Sequence, residues 1–219
     1  EIKGFEDQLP EEYRWSKLKN IKDNKELFDT YRELLATVSS KSDNVNIREI
    51  FTNANTTLRK PVNLRTLVSA IDELDWYEEH DRDMMGDIYE DLLERNAGEK
   101  KSGAGQYFTP RPLINVMVEL VAPKLGERWN DPACGTFGFP ISINQYLLHK
   151  YDYKYSVSDK VRSFQENEAL SGVELVQDAH RLALMNAKLH GLDSTIYLND
   201  TLTEFGKSLK GFDGVLANP

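Results

Sequence analysis

Apolar side chains recur at helical spacing through the first part of the chain. Between Asn24 and Val38 they fall on one face of a helix, and they do so again between Leu64 and Leu74. A third such segment runs from Asp83 to Arg95, with acidic residues opposite the apolar ones. We therefore predict three amphipathic helices and a first part that is mostly helical.

The pattern breaks between Asn96 and Gly105, where small and polar residues are concentrated. Such a stretch is typical of a linker or mobile loop. We place the domain boundary here, with one domain over residues 1–100 and a second over residues 101–219.

A single strong helix is predicted directly after the linker. Thr109 can cap it, and its first turn tolerates the prolines at 110 and 112. The periodicity predicts a buried face, which comprises Leu113, Val116, Met117 and Leu120.

The second half of the chain alternates between short strand-like runs and helical ones. The predicted strands cover residues 128–130, 172–176, 195–198 and 213–217, and the main helices between them cover residues 141–150 and 178–190. Strands that alternate with helices form a parallel sheet through right-handed crossovers. The predicted fold class is α/β.

Composition narrows the class of protein. The 219 residues are 40% hydrophobic and 29% charged, as in an ordinary globular protein. No apolar run approaches the roughly 20 residues that span a bilayer, and the start lacks the regions of a signal peptide. We expect a cytoplasmic protein with no membrane partner. Cys134 and the four histidines lack metal-ligand spacing, so no metal is expected.

The net charge of −9 opposes unaided binding to a phosphate backbone. If DNA is the substrate, a local basic strip, a further segment or a partner subunit must help to hold it.

Candidate site residues follow the predicted strands, because ligands of doubly wound sheets bind beyond the carboxyl ends of the strands. Asp131 opens a loop with Gly135 and Gly138, Glu174 lies near the end of the second strand, and Asp200 ends the third. Each has an ordinary alternative: a plain strand-to-helix turn, an exposed glutamate, and a helix cap.

The fourth strand leads to Asn218 and Pro219. The asparagine amide oxygen and the proline carbonyl can both accept hydrogen bonds from an exocyclic amine, which leaves its nitrogen lone pair facing an electrophilic methyl group. Asn-Pro is also a common turn dipeptide, so its significance comes from its position.

Four segments, in this order, resemble the modification subunit of Type I restriction-modification systems, a family of N6-adenine DNA methyltransferases. They are Gly105-Gln-Tyr-Phe-Thr-Pro110, Asp131-Pro-Ala-Cys-Gly-Thr-Phe-Gly-Phe139, Gly172-Val-Glu174 with the helix that ends in Asn186-Ala-Lys-Leu-His-Gly191, and Asn218-Pro219. The resemblance implies a helical N-terminal domain followed by a Rossmann-like methyltransferase domain. It also implies S-adenosylmethionine as cofactor and, as partners, DNA, a specificity subunit, a restriction subunit and a second modification subunit.

The resemblance also assigns roles to residues. Glu174 would hold the cofactor's ribose, Asp200 would face its adenine, and Asn218 with Pro219 would receive the amino group of a flipped target adenine. The residues that would border the methionine end or form the loop around it are Gln106, Tyr107, Phe108, Thr109, Pro110, Asp131, Ala133, Gly135 and Thr136.

Two departures from the family pattern carry expectations of their own. Phe137 stands where the family usually has glycine, so its side chain would narrow the loop or require a changed backbone angle. Restoring glycine is expected to improve cofactor affinity. The family motif continues as Asn-Pro-Pro with an aromatic residue, so we expect the native chain to continue past Pro219, the fourth strand to be an exposed edge, and this piece alone to be inactive.

Other functions stay open at this point. The Asn-Pro geometry also suits a methyltransferase for cytosine N4 or for a protein glutamine amide. A non-catalytic helical assembly module with a vestigial cofactor pocket is a different class of protein. A nicotinamide oxidoreductase is less favoured, because the first loop lacks Gly-x-Gly-x-x-Gly. Cys134 is better interpreted as a packed thiol than as a nucleophile.

Overall fold

The computed structural model describes residues 9–73, 88–89 and 109–219. The chain divides into two compact units, Glu1–Glu78 and Glu79–Pro219. The boundary predicted between residues 100 and 101 lies outside the described residues. So does the third predicted helix apart from Ile88 and Tyr89, which are helical.

The first unit is helical, as its periodicity predicted. After a 3-10 turn at Glu11–Tyr13 come the helices α1 (Trp15–Leu18), α2 (Asn24–Lys41), α3 (Val45–Phe51) and α4 (Pro61–Asp72). Helix α2 is capped by Asp23, whose side chain accepts a hydrogen bond from the backbone N–H of Glu26 at 2.8 Å. The two long helices were predicted. The short helices α1 and α3 were not, because one or two turns carry too little periodicity to recognise.

The core of this unit is formed by the apolar faces of the two long helices. Helix α2 contributes Leu27, Leu34 and Val38, and helix α4 contributes Leu64 and Val68. Tyr13 and Leu18 from the preceding turns complete the cluster. Burial of these side chains supplies most of the stability of the unit, since it is their removal from water that favours folding.

The second unit alternates helices with four strands. Its elements, in chain order, are α5 (Arg111–Val121), β1 (Trp129–Asp131), α6 (Gly138–Tyr151), α7 (Tyr153–Ser156), α8 (Asp159–Asn167), β2 (Leu170–Glu174), α9 (Gln177–Leu189), β3 (Thr195–Leu198), α10 (Glu204–Ser208) and β4 (Gly214–Val215). The α/β prediction is confirmed. Helices α7 and α8 were not foreseen; α7 is a single turn, and α8 is short and largely polar.

All the strand pairs in the sheet are parallel, in the order β3-β2-β1-β4. Because the pairs are parallel, the carboxyl ends of the described strands meet at one edge of the sheet. The strand order reverses direction at β1, whose neighbours are β2 and β4. Within the described residues β4 has one strand neighbour, and Val215 is 56% exposed, as an edge strand requires. We call the side where the carboxyl ends meet the carboxyl edge of the sheet.

Helix α5 corrects two details of the sequence prediction. Its N-cap is Pro110 rather than Thr109. Its buried side chains are Ile114 and Val118; of the predicted face, Leu113, Val116 and Leu120 are exposed and Met117 is half-buried. The helix carries two apolar stripes, and periodicity alone cannot choose between them. The stripe that contains Ile114 is the buried one, because the Ile114 side chain packs against Gly138 at the start of α6.

In the part of the chain that the structure describes, no helix is both long and apolar enough to cross a membrane.

Candidate functional site

The loop between β1 and α6 is held tightly against the neighbouring strand β2. The backbone N–H of Cys134 donates to the carbonyl of Val173 at 2.9 Å, and the N–H of Phe137 donates to the carbonyl of Cys134 at 2.7 Å. Gly135 has φ +52°, a left-handed conformation that glycine adopts without strain, and a Cβ there would meet no atom within 4 Å. The loop that contains Ala133, Gly135 and Thr136 is therefore fixed on one side and open above Gly135.

Glu174, the last residue of β2, ties the strand to this loop. One carboxylate oxygen, Oε2, accepts a hydrogen bond from the backbone N–H of Gly135 at 3.0 Å. The other, Oε1, accepts from the N–H of Val176 at 2.8 Å. The side chain is only 7% exposed. Each carboxylate oxygen can accept a second hydrogen bond, so Glu174 can hold the loop and a ligand hydroxyl at once.

Asp131 ends β1 beneath the same loop and is 2% exposed. Its Oδ1 accepts a hydrogen bond from the N–H of Ala133 at 3.1 Å. The pKa of Asp131 is raised to about 7, mainly by burial; the Ala133 hydrogen bond works in the opposite direction, and the negative charge of Glu174 adds to the rise. A neutral and a charged carboxyl are therefore both populated near neutral pH.

The structure shows how the loop accommodates Phe137 at the position where the family usually has glycine. Its backbone is left-handed, with φ 71° and ψ 27°, and its side chain is fully buried. A Cβ on Gly172 would lie 2.9 Å from Cε2 of the Phe137 ring and 2.9 Å from the Cys134 sulfur. The ring therefore packs below the loop against Gly172, and the backbone angle changes to allow it.

Cys134 is packed in the same place. Burial raises the pKa of its thiol, and the charges of Asp131 and Glu174 raise it further. A thiol that resists ionisation is a poor nucleophile, which fits the packed role predicted for it.

Asp200 lies in the loop after β3, where it closes a turn. Its Oδ1 accepts a hydrogen bond from the N–H of Leu202 at 2.8 Å, while helix α10 is capped by Thr203. The interpretation of Asp200 as the cap of this helix is therefore wrong. The loop is joined to the one after β1, because the Thr201 hydroxyl donates to the carbonyl of Pro132 at 3.0 Å.

Three features of the site were missed in the sequence. Leu175 and Leu202 are 66% and 95% exposed although both are apolar, and they follow Glu174 and Asp200 closely. The available signal was an apolar residue one or two positions after an acidic residue: Leu175 directly follows Glu174, and Leu202 lies two residues after Asp200. Asn186, which is buried on α9, donates from Nδ2 to the carbonyl of Thr136 at 2.9 Å and so supports the loop from below.

The first and last candidate motifs meet at the carboxyl edge. The amide nitrogen Nδ2 of Asn218 donates to the hydroxyl of Thr109 at 3.1 Å. Pro110 and Pro219 beside them are exposed. The remaining members of the first motif, Gln106, Tyr107 and Phe108, lie outside the described residues.

Comparison with known proteins shows the family to which the chain belongs. The family model for N-6 DNA methylases matches residues 80–219. The methylase subunit of the Type I restriction enzyme StySPI from Salmonella potsdam is 41% identical over 97% of this chain. The match covers 42% of that subunit, so this chain spans less than half the length of the relative.

Solved structures of similar fold include a protein of the type I restriction-modification system. A structure from work on complex assembly and conformational transition of the type I restriction-modification system superposes with a TM-score of 0.78, 26% identity, and coverage of 97% of this chain and 44% of that one. A Listeria monocytogenes protein assigned to the class I S-adenosylmethionine-dependent methyltransferases shares the fold, with a TM-score of 0.51, 16% identity, and coverage of 93% and 58%. The chain therefore belongs to the N-6 DNA methylase family, and it is similar to the methylase subunits of Type I restriction enzymes.

Proposed function

We propose that this chain is part of a DNA methyltransferase subunit that transfers a methyl group from S-adenosylmethionine to N6 of adenine in host DNA. The observation that carries the proposal is the position of Asn218, whose carboxamide follows β4 at the edge of the sheet where Glu174 and the Gly135 loop also lie. A hydrogen-bond acceptor for an amine and a cradle for a cofactor thus share one edge.

The described residues fit the cofactor. The space above Gly135 is open, and each oxygen of Glu174 can accept one more hydrogen bond, which suits the ribose hydroxyls. Leu175 and Leu202 offer exposed apolar surface for the adenine ring, with Asp200 beside them to accept from its amino group. The segment that ends in Thr109 and Pro110, with Asp131, Ala133 and Thr136, would border the methionine end.

Asn218 and Pro219 would act on the substrate. When bound, S-adenosylmethionine supplies an electrophilic methyl group on a positively charged sulfur. The Asn218 Oδ1 and the Pro219 carbonyl would accept the two amino hydrogens of a flipped adenine and hold its nitrogen in line for transfer. The side chains contribute position and the exclusion of water, and no covalent enzyme intermediate is needed.

The negative net charge of the chain means that its partners would have to supply the attraction for DNA. With a net charge of −9 it has little electrostatic attraction for DNA, so a specificity subunit would supply most of the grip and the sequence recognition. The proposal includes a second methylase subunit and a restriction subunit in the same assembly, which would act in the cytoplasm on the host's DNA.

The experiment must show whether the methyl group goes to adenine or to one of the other planar amines that the Asn-Pro geometry suits, cytosine N4 and a protein glutamine amide. The native protein and its specificity subunit are incubated with DNA and methyl-labelled S-adenosylmethionine, and the digested nucleosides are identified by mass spectrometry. We expect N6-methyladenine. Label in N4-methylcytosine or in protein glutamine would assign a different substrate, and the absence of label anywhere would favour a non-catalytic assembly module.

Two asparagine variants make the test specific to the site. Asn218→Ala is expected to abolish labelling, because the acceptor for the target amine is lost. Asn167→Ala is the matched control: its side chain donates to the carbonyl of Ser163 on α8, ahead of β2 and so at the opposite end of the sheet. That variant should label DNA as the wild type does.

A further inference from the structure

Thr109 makes a contact that a cofactor-binding role does not require. Its hydroxyl oxygen accepts the hydrogen bond from Nδ2 of Asn218 at 3.1 Å. The two residues are 109 positions apart in sequence, so the contact depends on the fold of the whole second unit.

Thr109 is held in place by the first turn of α5. The Arg111 guanidinium donates to the carbonyl of Gly138 at 2.6 Å, and Ile114 packs on the same glycine, where a Cβ would lie 3.1 Å from its Cδ1. One turn along, the Ser142 hydroxyl and the Asn115 side chain are hydrogen-bonded at 2.5 Å. These contacts fix the start of α5, and therefore Thr109, against α6.

Asn218 is held from the other side by the end of β4. The backbone N–H of Leu216 donates to the carbonyl of Asn130 at 3.2 Å, and the Leu216 side chain is buried. Val215 pairs with Asn130 in the parallel register. Both partners of the Thr109–Asn218 hydrogen bond are thus carried by anchored backbone.

The orientation of the Asn218 carboxamide decides which of its ends faces the target amine, and in the structure its Nδ2 faces Thr109. A free carboxamide turns readily about its terminal torsion, which is broad and roughly two-fold. With Nδ2 engaged by Thr109, the acceptor Oδ1 is left for the substrate. With the carboxamide reversed, its N–H groups would face the hydrogens of an incoming amine, and no hydrogen bond could form.

We infer that the hydroxyl of Thr109 is a positioning group that orients the Asn218 carboxamide toward the target amine. The inference rests on the proposed function and adds to it a role for Thr109 other than contact with the cofactor. It predicts that removal of the hydroxyl slows methyl transfer and leaves cofactor affinity unchanged.

The test compares Thr109→Val, which keeps the shape and loses the hydroxyl, with Thr109→Ser, which keeps it, in the native protein with its specificity subunit. Single-turnover methylation should slow by about 3- to 10-fold in the valine variant, as expected for one lost hydrogen bond. The serine variant should retain the wild-type rate. Binding of S-adenosylhomocysteine, measured by calorimetry, should agree within about twofold across all three proteins, which also shows that the variants fold.

Thr66→Val is the matched control, since its hydroxyl donates to the carbonyl of Val62 at the exposed surface of α4. It should methylate at the wild-type rate. An unchanged rate in Thr109→Val, or a loss of rate that follows an equal loss of cofactor affinity, would overturn the inference. Failure of the wild-type protein to methylate DNA would instead defeat the proposed function on which the inference rests.

Discussion

Phe137 keeps a strained backbone conformation because burial of its ring stabilises the fold by more than the strain destabilises it. A non-glycine residue at φ 71° costs on the order of 1–2 kcal/mol. Removal of a fully buried phenylalanine ring costs about 3–5 kcal/mol. The sequence alone suggested that glycine at this position would improve cofactor affinity, because the position of the ring was unknown. Because the ring packs against Gly172, we expect its loss to cost more than the relief of strain gains.

Phe137→Gly should therefore lower the free energy of unfolding by about 1–4 kcal/mol, the difference between these two costs. It should also weaken binding of S-adenosylhomocysteine, because the loop loses its anchor. Urea denaturation and calorimetry on the native protein measure the two effects. Tighter binding in the glycine variant would support the original expectation and contradict the packing argument.

Asp131 makes stability depend on pH in the direction opposite to that of most carboxylates. Its pKa of about 7 in the folded protein exceeds the ordinary value of 3.8, so the folded state binds more protons between these values. Stability should then fall as pH rises through this window. Between pH 5 and pH 8 the loss should be about 2–3 kcal/mol.

Asp131→Asn tests this assignment, because an amide resembles the neutral acid and does not titrate. Urea denaturation at pH 5 and pH 8 should show a smaller pH-dependent loss in the variant than in the wild type. An equal loss in both proteins would show that another group is responsible.

At the scale of elements, the sequence predicted what depends on local pattern. The long helices α2 and α4, the alternation of strands with helices, and the loop that follows Asp131 were all visible in the spacing of apolar residues and glycines. The buried face of α5 was not, because its two apolar stripes are equivalent until α6 is in place. The contact between Thr109 and Asn218 could not be derived either, since it depends on how distant elements pack.

Strand β4 depends on Gly214, which pairs with Trp129 of β1. A Cβ at this position would collide with the Trp129 ring. Gly214→Ala should therefore lower the free energy of unfolding by about 1–3 kcal/mol, as overpacking usually does. Val215→Ala, in the same strand but exposed, should cost only about 0.5 kcal/mol in the same urea denaturation experiment. Equal costs would mean that the ring yields without strain.

At the scale of the whole molecule, the proposed function needs partner subunits, because the charge of this chain does not favour binding to DNA. In the proposed function the carboxyl edge of the sheet would hold the cofactor and the target amine, while the net charge of −9 gives little electrostatic attraction for DNA. Because the chain spans 42% of the StySPI relative, the activity of the complete protein is tested on the native molecule.

The most direct test is a calorimetric titration of the native protein with S-adenosylhomocysteine, with NAD as the comparison ligand and Glu174→Gln as the variant. The account predicts saturable binding of one S-adenosylhomocysteine per chain and no binding of NAD. Binding should weaken by about tenfold or more in Glu174→Gln, which has one acceptor oxygen in place of two. No saturable binding by the wild type, or equal affinity in the variant, would contradict the assignment of the carboxyl edge as the cofactor site.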